Sequence, residues 1–106
     1  MALTVKNLFA DLPTGVDGEA FATLFESSAA KIERIISHSH QSPPGFWYDQ
    51  AEDEWVIVLR GSATLEFTGG ELVELNPGDY LTIPRHVKHR VARTSEETIW
   101  LVVRVK

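Results

Sequence analysis

The chain has 106 residues, of which 43% are hydrophobic and 24% charged, so we expect one folded domain rather than a disordered or membrane protein. Its formal net charge of −5 at pH 7 disfavours binding to nucleic acid, whose phosphates are also negative. Cysteine is absent, which excludes disulfides, thiolate zinc sites and cysteine-held iron–sulfur clusters.

Short β-prone runs separated by glycine and proline dominate the chain. The first thirty residues are ambiguous: Phe9–Leu12 is compatible with a turn of helix, and Glu19–Phe25 with a strand or a helix. Two dipeptides, Gly69-Gly70 and Pro77-Gly78, predict tight turns. From residue 31 onward the β-prone runs are 31–37, 46–50, 54–59, 63–67, 71–75, 80–83, 89–92 and 98–105.

This spacing, with no sustained helical period, predicts a single all-β domain over residues 1–106, a sandwich or barrel. Residues 31–106 would form the barrel, and residues 1–30 would cover it or exchange with a partner. Two runs, 55–59 and 99–103, are apolar at successive positions, as in a strand covered on both faces. The cover is either the N-terminal segment or a second subunit, and we expect a homodimer because two-fold dimers are the commonest oligomers.

Two segments resemble the paired motifs of the cupin superfamily. In the first, Glu54 is followed by six residues and Gly61; in the second, Gly78, Pro84 and His89 have the family's spacing. Three features depart from the motifs: His86 replaces a glycine, Arg93 replaces an asparagine, and the His-X-His pair before Glu54 is missing. The resemblance covers residues 35–99. Within the superfamily, the sequence resembles a subgroup of small single-domain cupins of mostly unassigned function. It implies a small double-stranded β-helix, the jelly-roll barrel.

The resemblance also implies a divalent transition metal (Fe, Mn, Ni, Cu, Co or Zn), which imidazole and carboxylate ligands suit. Family sites use three His and one Glu. Here Glu54 and His89 would be ligands, from strands that are adjacent in the family's fold. Gln50 or Asp49 would replace a missing His, and the choice between them depends on the strand register.

Each candidate also has a structural interpretation. His89 in a strand is compatible with simple packing, and Glu54 with facing water or pairing with Arg90. His38 and His40 would share one face of an extended strand, but thirteen residues separate the pair from Glu54 and a loop follows it, which favours solvation.

The leading functional hypothesis is a metal-binding cupin whose barrel pocket takes a small polar organic molecule. It would act as a metal-dependent dioxygenase, isomerase or lyase, with His86 or Tyr48 moving protons. The alternative is a non-catalytic cupin that binds or senses a small ligand and has a degraded metal site. The sequence predicts a cytoplasmic protein without a membrane partner, since it has no signal-peptide pattern and no apolar run near ~20 residues.

Overall fold

The computed structural model describes residues 2–13 and 18–106. Within these ranges the regular structure consists of eight strands, and no helix is long and apolar enough to cross a membrane. The strands are β1 (Gly18–Glu26), β2 (Ala30–His38), β3 (Asp53–Arg60), β4 (Ala63–Phe67), β5 (Leu72–Leu75), β6 (Tyr80–Ile83), β7 (His89–Thr94) and β8 (Thr98–Val105). Of the two ambiguous segments, Glu19–Phe25 lies in a strand, and Phe9–Leu12 lies in a turn rather than a helix. Residues 1 and 14–17 of the expected N-terminal cover lie outside the described residues.

The strands form two antiparallel sheets. A five-stranded sheet has the order β1-β2-β8-β3-β6, and a three-stranded sheet has the order β5-β4-β7. Strand β8 therefore lies at the centre of the larger sheet, between β2 and β3, where Glu54 pairs in register with Arg104. The predicted turns are confirmed: Asp79 N donates to Asn76 O (2.9 Å) around Pro77-Gly78, and Gly70 N donates to Phe67 O (3.1 Å).

The core lies between the two sheets, because alternate residues of each strand point to the same face. Strand β3 shows the pattern directly, since its inward side chains are buried and its outward ones are only half-buried. The buried apolar cluster comprises Ile35, Val56, Val58, Ala63, Leu65, Leu75, Ile83, Val91, Trp100 and Val102. Both sheets contribute to it, so burial of this apolar surface is the main force that holds them together.

The run predicted as a strand at 46–50 is instead a loop that attaches to β7 at two points. Tyr48 exchanges two backbone hydrogen bonds with His89, at 2.7 and 3.1 Å, as an isolated bridge. Upstream, the Ser42 backbone N donates to the Val91 carbonyl (2.8 Å), and the Ser42 hydroxyl accepts from the Val91 N–H (3.0 Å). These bonds hold the loop along the end of the barrel where its polar residues gather.

The N-terminal segment lies against the outer face of the five-stranded sheet. Arg34 of β2 donates hydrogen bonds to the carbonyls of Leu8 (2.8 Å) and Ala10 (3.3 Å). The Arg60 guanidinium stacks over the Phe9 ring, 5.1 Å from its centroid. The segment therefore covers part of that face, as one of the two explanations for the doubly apolar strands predicted.

Candidate functional site

A cavity of about 60 Å³ opens at one end of the space between the sheets. Strand β8 explains its chemical character, because Trp100, Val102 and Arg104 alternate on its inner face and change from apolar to charged toward that end. The polar residues that line the cavity are Glu19, Tyr48, Gln50, Glu54, His89 and Arg104. Its remaining walls are apolar side chains of the core.

The Arg104 guanidinium is the centre of a polar network in the cavity wall. Its Nη1 forms an ion pair with Glu54 Oε2 (2.6 Å) and donates to Gln50 Oε1 (2.7 Å), and its Nε donates to Glu33 Oε1 (2.7 Å). Burial acts to lower the pKa of Arg104, but the Glu33 hydrogen bond and the charges of Glu54 and Glu33 outweigh it and raise the pKa. Arg104 is therefore a permanent cation in the cavity wall.

Glu54 and His89, the two residues that match the cupin motifs, meet in the cavity. His89 Nε2 lies 3.7 Å from Glu54 Oε1, and both side chains are buried. The expectation that they come from adjacent strands was wrong. Glu54 lies on β3 of the larger sheet and His89 on β7 of the smaller one, so they face each other across the barrel.

The protonation of this pair follows from its partners. His89 Nδ1 lies 3.0 Å from the Val87 carbonyl oxygen, which only accepts, so Nδ1 carries a proton. In a neutral His89 the lone pair is then on Nε2 and points at Glu54. Burial raises the pKa of Glu54, and the charges of Arg104 and His89 oppose that rise. One acid proton shared between these two acceptors would satisfy both.

Tyr48 and Glu19 form the cavity's second polar group. Tyr48 Oη donates to Glu19 Oε1 (3.3 Å), which also lies 3.1 Å from His40 Nε2. Glu19 Oε2 accepts a hydrogen bond from the Ser37 hydroxyl (3.3 Å). Burial and the neighbouring Glu19 carboxylate raise the pKa of Tyr48 to about 12, so its phenol remains a hydrogen-bond donor at neutral pH.

Other sequence candidates lie away from the cavity lining. His86 and Asp49 form an exposed pair, with His86 Nδ1 2.8 Å from Asp49 Oδ1. His86 adopts φ = 64° in the turn after β6, and this left-handed backbone directs it outward rather than to the pocket mouth. Of the two alternatives for a substitute ligand, the structure places Gln50 in the cavity wall and Asp49 outside it.

The remaining alternatives are also resolved by contacts. His38 and His40 contact different carboxylates, Glu97 at 4.0 Å and Glu19 at 3.1 Å, so they do not form a chelating pair. Arg90 pairs with Glu66 at 3.0 Å and not with Glu54.

The donor atoms at this site do not fit a divalent transition metal. Gln50 Oε1 accepts a hydrogen bond from Arg104 and Glu54 Oε2 forms an ion pair with it, and the positive charge of Arg104 repels a cation. Two converging donors remain free, Glu54 Oε1 and His89 Nε2, where transition-metal sites use at least three protein ligands. In the part of the chain that the structure describes, no group of three or more His, Asp or Glu side chains is arranged to hold a metal.

Sequence reasoning missed three residues of the site: Arg104, Glu33 and Glu19. A signal for Arg104 was available, since the predicted strand 98–105 places it on the same face as Trp100 and Val102. No comparable signal existed for Glu33 or Glu19, because their inward direction depends on how β1 and β2 pair with β8.

Comparisons with known proteins agree with this fold. Residues 33–104 match the family model described as a cupin domain. A structure from Ralstonia eutropha JMP134, provisionally named a mannose-6-phosphate isomerase, is 48% identical with a TM-score of 0.92; the alignment covers 98% of this chain and 99% of that one. A cupin superfamily protein from Desulfitobacterium hafniense DCB-2 has 17% identity and a TM-score of 0.78, with coverage of 99% and 94%.

A cupin domain from Bordetella pertussis Tohama I is 17% identical with a TM-score of 0.66, and the alignment covers 85% of this chain and 95% of that one. No curated protein matches the sequence. The all-β jelly-roll prediction is confirmed by the two antiparallel sheets and by these structural neighbours. The chain belongs to the cupin family.

Proposed function

We propose that this cupin binds a small polar organic molecule in the barrel cavity and isomerises it by proton transfer, with Glu54 and His89 as the acid–base pair. The observation that carries the proposal is the free Nε2 of His89, directed at a buried carboxyl group 3.7 Å away inside a cavity. Burial raises the pKa of Glu54, which suits a proton donor, and an imidazole nitrogen facing that donor is the usual partner for such chemistry.

The proposed step is an enolisation. His89 Nε2 takes a proton from the carbon next to a carbonyl group, while protonated Glu54 gives its proton to the carbonyl oxygen, and an enediol results. His89 then gives its proton to the former carbonyl carbon, while Glu54 takes the proton of the other enediol hydroxyl, which yields the isomer and restores both side chains. Tyr48 Oη, whose proton is donated to Glu19, accepts a hydrogen bond from a substrate hydroxyl at the cavity wall.

The size and charge of the cavity favour a small substrate without a phosphate. A volume of about 60 Å³ holds roughly four to six water-sized groups, given about 10–15 Å³ for each. The cation that lines the cavity, Arg104, is already in contact with Glu33, Glu54 and Gln50, and Glu19 adds a negative charge. A substrate such as that named for the Ralstonia protein, a hexose phosphate, is larger than the cavity and brings a dianion.

Deuterium exchange tests the proposal. Metal-depleted protein is incubated with glyceraldehyde and dihydroxyacetone, the smallest aldose–ketose pair, in deuterated buffer, and interconversion and deuterium at carbon are followed by NMR. We expect exchange above the buffer rate, and a loss of about a hundredfold or more in Glu54→Gln and in His89→Gln, the range expected for a lost acid or base. Glu66→Gln is the matched control. This carboxylate pairs with Arg90 within the smaller sheet and does not line the cavity, so the substitution should leave the rate unchanged.

The alternative function, non-catalytic binding of a small ligand, is favoured by the donor set that does not fit a metal. The same samples separate the two functions. Saturable chemical-shift changes on ligand addition, with no exchange above the buffer rate, would support binding alone and overturn the proposed isomerisation.

We also propose that the protein is a homodimer formed through the outer face of the five-stranded sheet. In register across β3 and β8, Trp55 lies beside Val103 and Ile57 beside Leu101, and these outward side chains remain half-buried at most. Tyr80 of β6 extends this patch and is 65% exposed. These side chains carry no charge, and the neighbouring Arg34, in register beside Leu101, is engaged by carbonyls of the N-terminal segment. A second copy related by a two-fold axis therefore packs on the patch without like-charge contacts within it.

A further inference from the structure

The Arg104 guanidinium lies in the cavity wall, beside the residues that match the cupin motifs. We propose that this guanidinium is the resident cation of the pocket, in the place where the cupin pattern predicts a divalent metal, so that this barrel works without one. The inference concerns metal binding alone and does not depend on the proposed isomerisation.

The guanidinium is surrounded by oxygen atoms from several parts of the chain, as a bound metal cation would be. Its acceptors come from three separate parts of the chain: Glu33 on β2, Glu54 on β3 and Gln50 in the loop before β3. All three N···O distances are 2.6–2.7 Å: those to Glu33 and Gln50 are short charge-assisted hydrogen bonds, and that to Glu54 is an ion pair. Two buried acidic side chains and an amide therefore contact one half-buried guanidinium.

This arrangement competes directly with a metal for the same atoms. A metal ligand must offer a lone pair, but Gln50 Oε1 already accepts a hydrogen bond from Arg104 Nη1, and Glu54 Oε2 is paired with the same nitrogen at 2.6 Å. A divalent ion between Glu54 Oε1 and His89 Nε2 would also lie within a few ångströms of a fixed positive charge in a low-dielectric interior. Arg104 therefore both occupies the ligands and repels the ion.

Removal of the charge should convert the pocket into a metal site. In Arg104→Met, whose shorter, unbranched apolar chain cannot donate, the cavity-lining Glu54, Gln50 and His89 would be free to ligate. Arg104→Lys is the matched control, because it keeps the positive charge. Wild type and both variants are loaded with Mn²⁺, Ni²⁺ or Zn²⁺, desalted and analysed for metal per chain, and their affinities are measured by competition with a chromogenic chelator.

We expect no stoichiometric metal on the wild type or on Arg104→Lys. We expect Arg104→Met to bind one of these ions at least roughly tenfold more tightly than the wild type, as loss of a nearby positive charge predicts. Combination of Arg104→Met with His89→Ala should remove the gain.

About one metal per wild-type chain, lost in His89→Ala, would overturn the proposal, as would tight metal binding by Arg104→Lys. A folded Arg104→Met that gains no affinity would also overturn it. If Arg104→Met does not fold, as circular dichroism would reveal, the wild-type and Arg104→Lys measurements still decide, because metal on either contradicts a resident guanidinium.

Discussion

Several side chains that line or support the cavity are ionised or hold a proton there because of their immediate neighbours. Arg104 joins the two carboxylates of Glu33 and Glu54, and loss of one member of such a group leaves an uncompensated buried charge, which costs several kcal/mol. Tyr48 differs because it is neutral, and its proton is retained by burial and by Glu19. Its contribution to stability can therefore be isolated by pH.

We expect Tyr48 to make the fold sensitive to alkali. The folded-state pKa is about 12 against an ordinary value of 10.0, so between these values the folded protein holds the phenolic proton more tightly than the unfolded chain does. Stability from this residue is complete below pH 10 and falls as pH rises through that window, by about 1–2 kcal/mol after allowance for partial exposure.

Urea denaturation at pH 9 and pH 11.5 measures this effect. The fall in unfolding free energy between the two pH values should be smaller in Tyr48→Phe than in the wild type. Tyr80→Phe should retain the whole wild-type fall when it is measured at a dilution at which the proposed dimer has dissociated, since Tyr80 is exposed in the single chain. An equal fall in all three proteins would contradict the expected role of Tyr48.

At the scale of elements, the connection between β3 and β4 is a closely packed turn. Gly61 has φ = 79°, and a Cβ there would lie 2.2 Å from the Glu97 carbonyl oxygen and 2.5 Å from the Ser95 hydroxyl. The Ser95 hydroxyl in turn donates to Glu97 O (3.1 Å) and accepts from Ser62 N (3.1 Å), so these atoms have little room to move. The glycine of the first cupin motif is required here for close approach as well as for backbone conformation.

We therefore expect Gly61→Ala to destabilise the protein by about 2–4 kcal/mol, since it adds a steric clash to the cost of a left-handed alanine. Gly70→Ala separates the two effects, because Gly70 has φ = 91° but no atom lies within 4 Å of the position that a Cβ would take. That variant should lose about 1–2 kcal/mol, the conformational cost alone. Equal losses in thermal or urea unfolding would show that packing at Gly61 contributes nothing.

At the scale of the whole molecule, the outer face of the five-stranded sheet predicts self-association. Tyr80→Lys would place a charge in the proposed interface, twice across the two-fold axis, and should weaken dimerisation by about tenfold or more in sedimentation velocity. Leu72→Lys is the control: Leu72 is 63% exposed, close to the 65% of Tyr80, but lies on the smaller sheet. A monomeric wild type, or equal weakening by both variants, would refute this interface.

The sequence was sufficient for most of the fold because its signals are local. Strand β8 agrees residue for residue with the predicted 98–105, and glycine and proline mark the turns. The strand prediction at 46–50 was wrong because the aromatic residues of this loop have high β propensity. The backbone there makes a single bridge to His89. A strand requires continuous backbone pairing with a neighbour, which residue propensity does not report.

The site was predictable only in part for the same reason. Glu54 and His89 were found because the cupin motifs fix their spacing, and both line the cavity. Their partner Arg104 could not be found in this way, since its contacts with Glu33 and Glu54 depend on the position of β8 between β2 and β3. Long-range pairing, rather than local pattern, decides which charges are neutralised inside the barrel.

The central position of β8 also has a consequence for folding. Strands β2 and β3 are far from β8 along the chain, yet each pairs with it and not with the other. The larger sheet therefore cannot form until β8 has been synthesised, and the high contact order of these pairings predicts slow folding, on the millisecond to second scale typical of such all-β domains. Because Arg104 lies on β8, its pairing with Glu33 and Glu54 forms in the same folding step that completes the larger sheet.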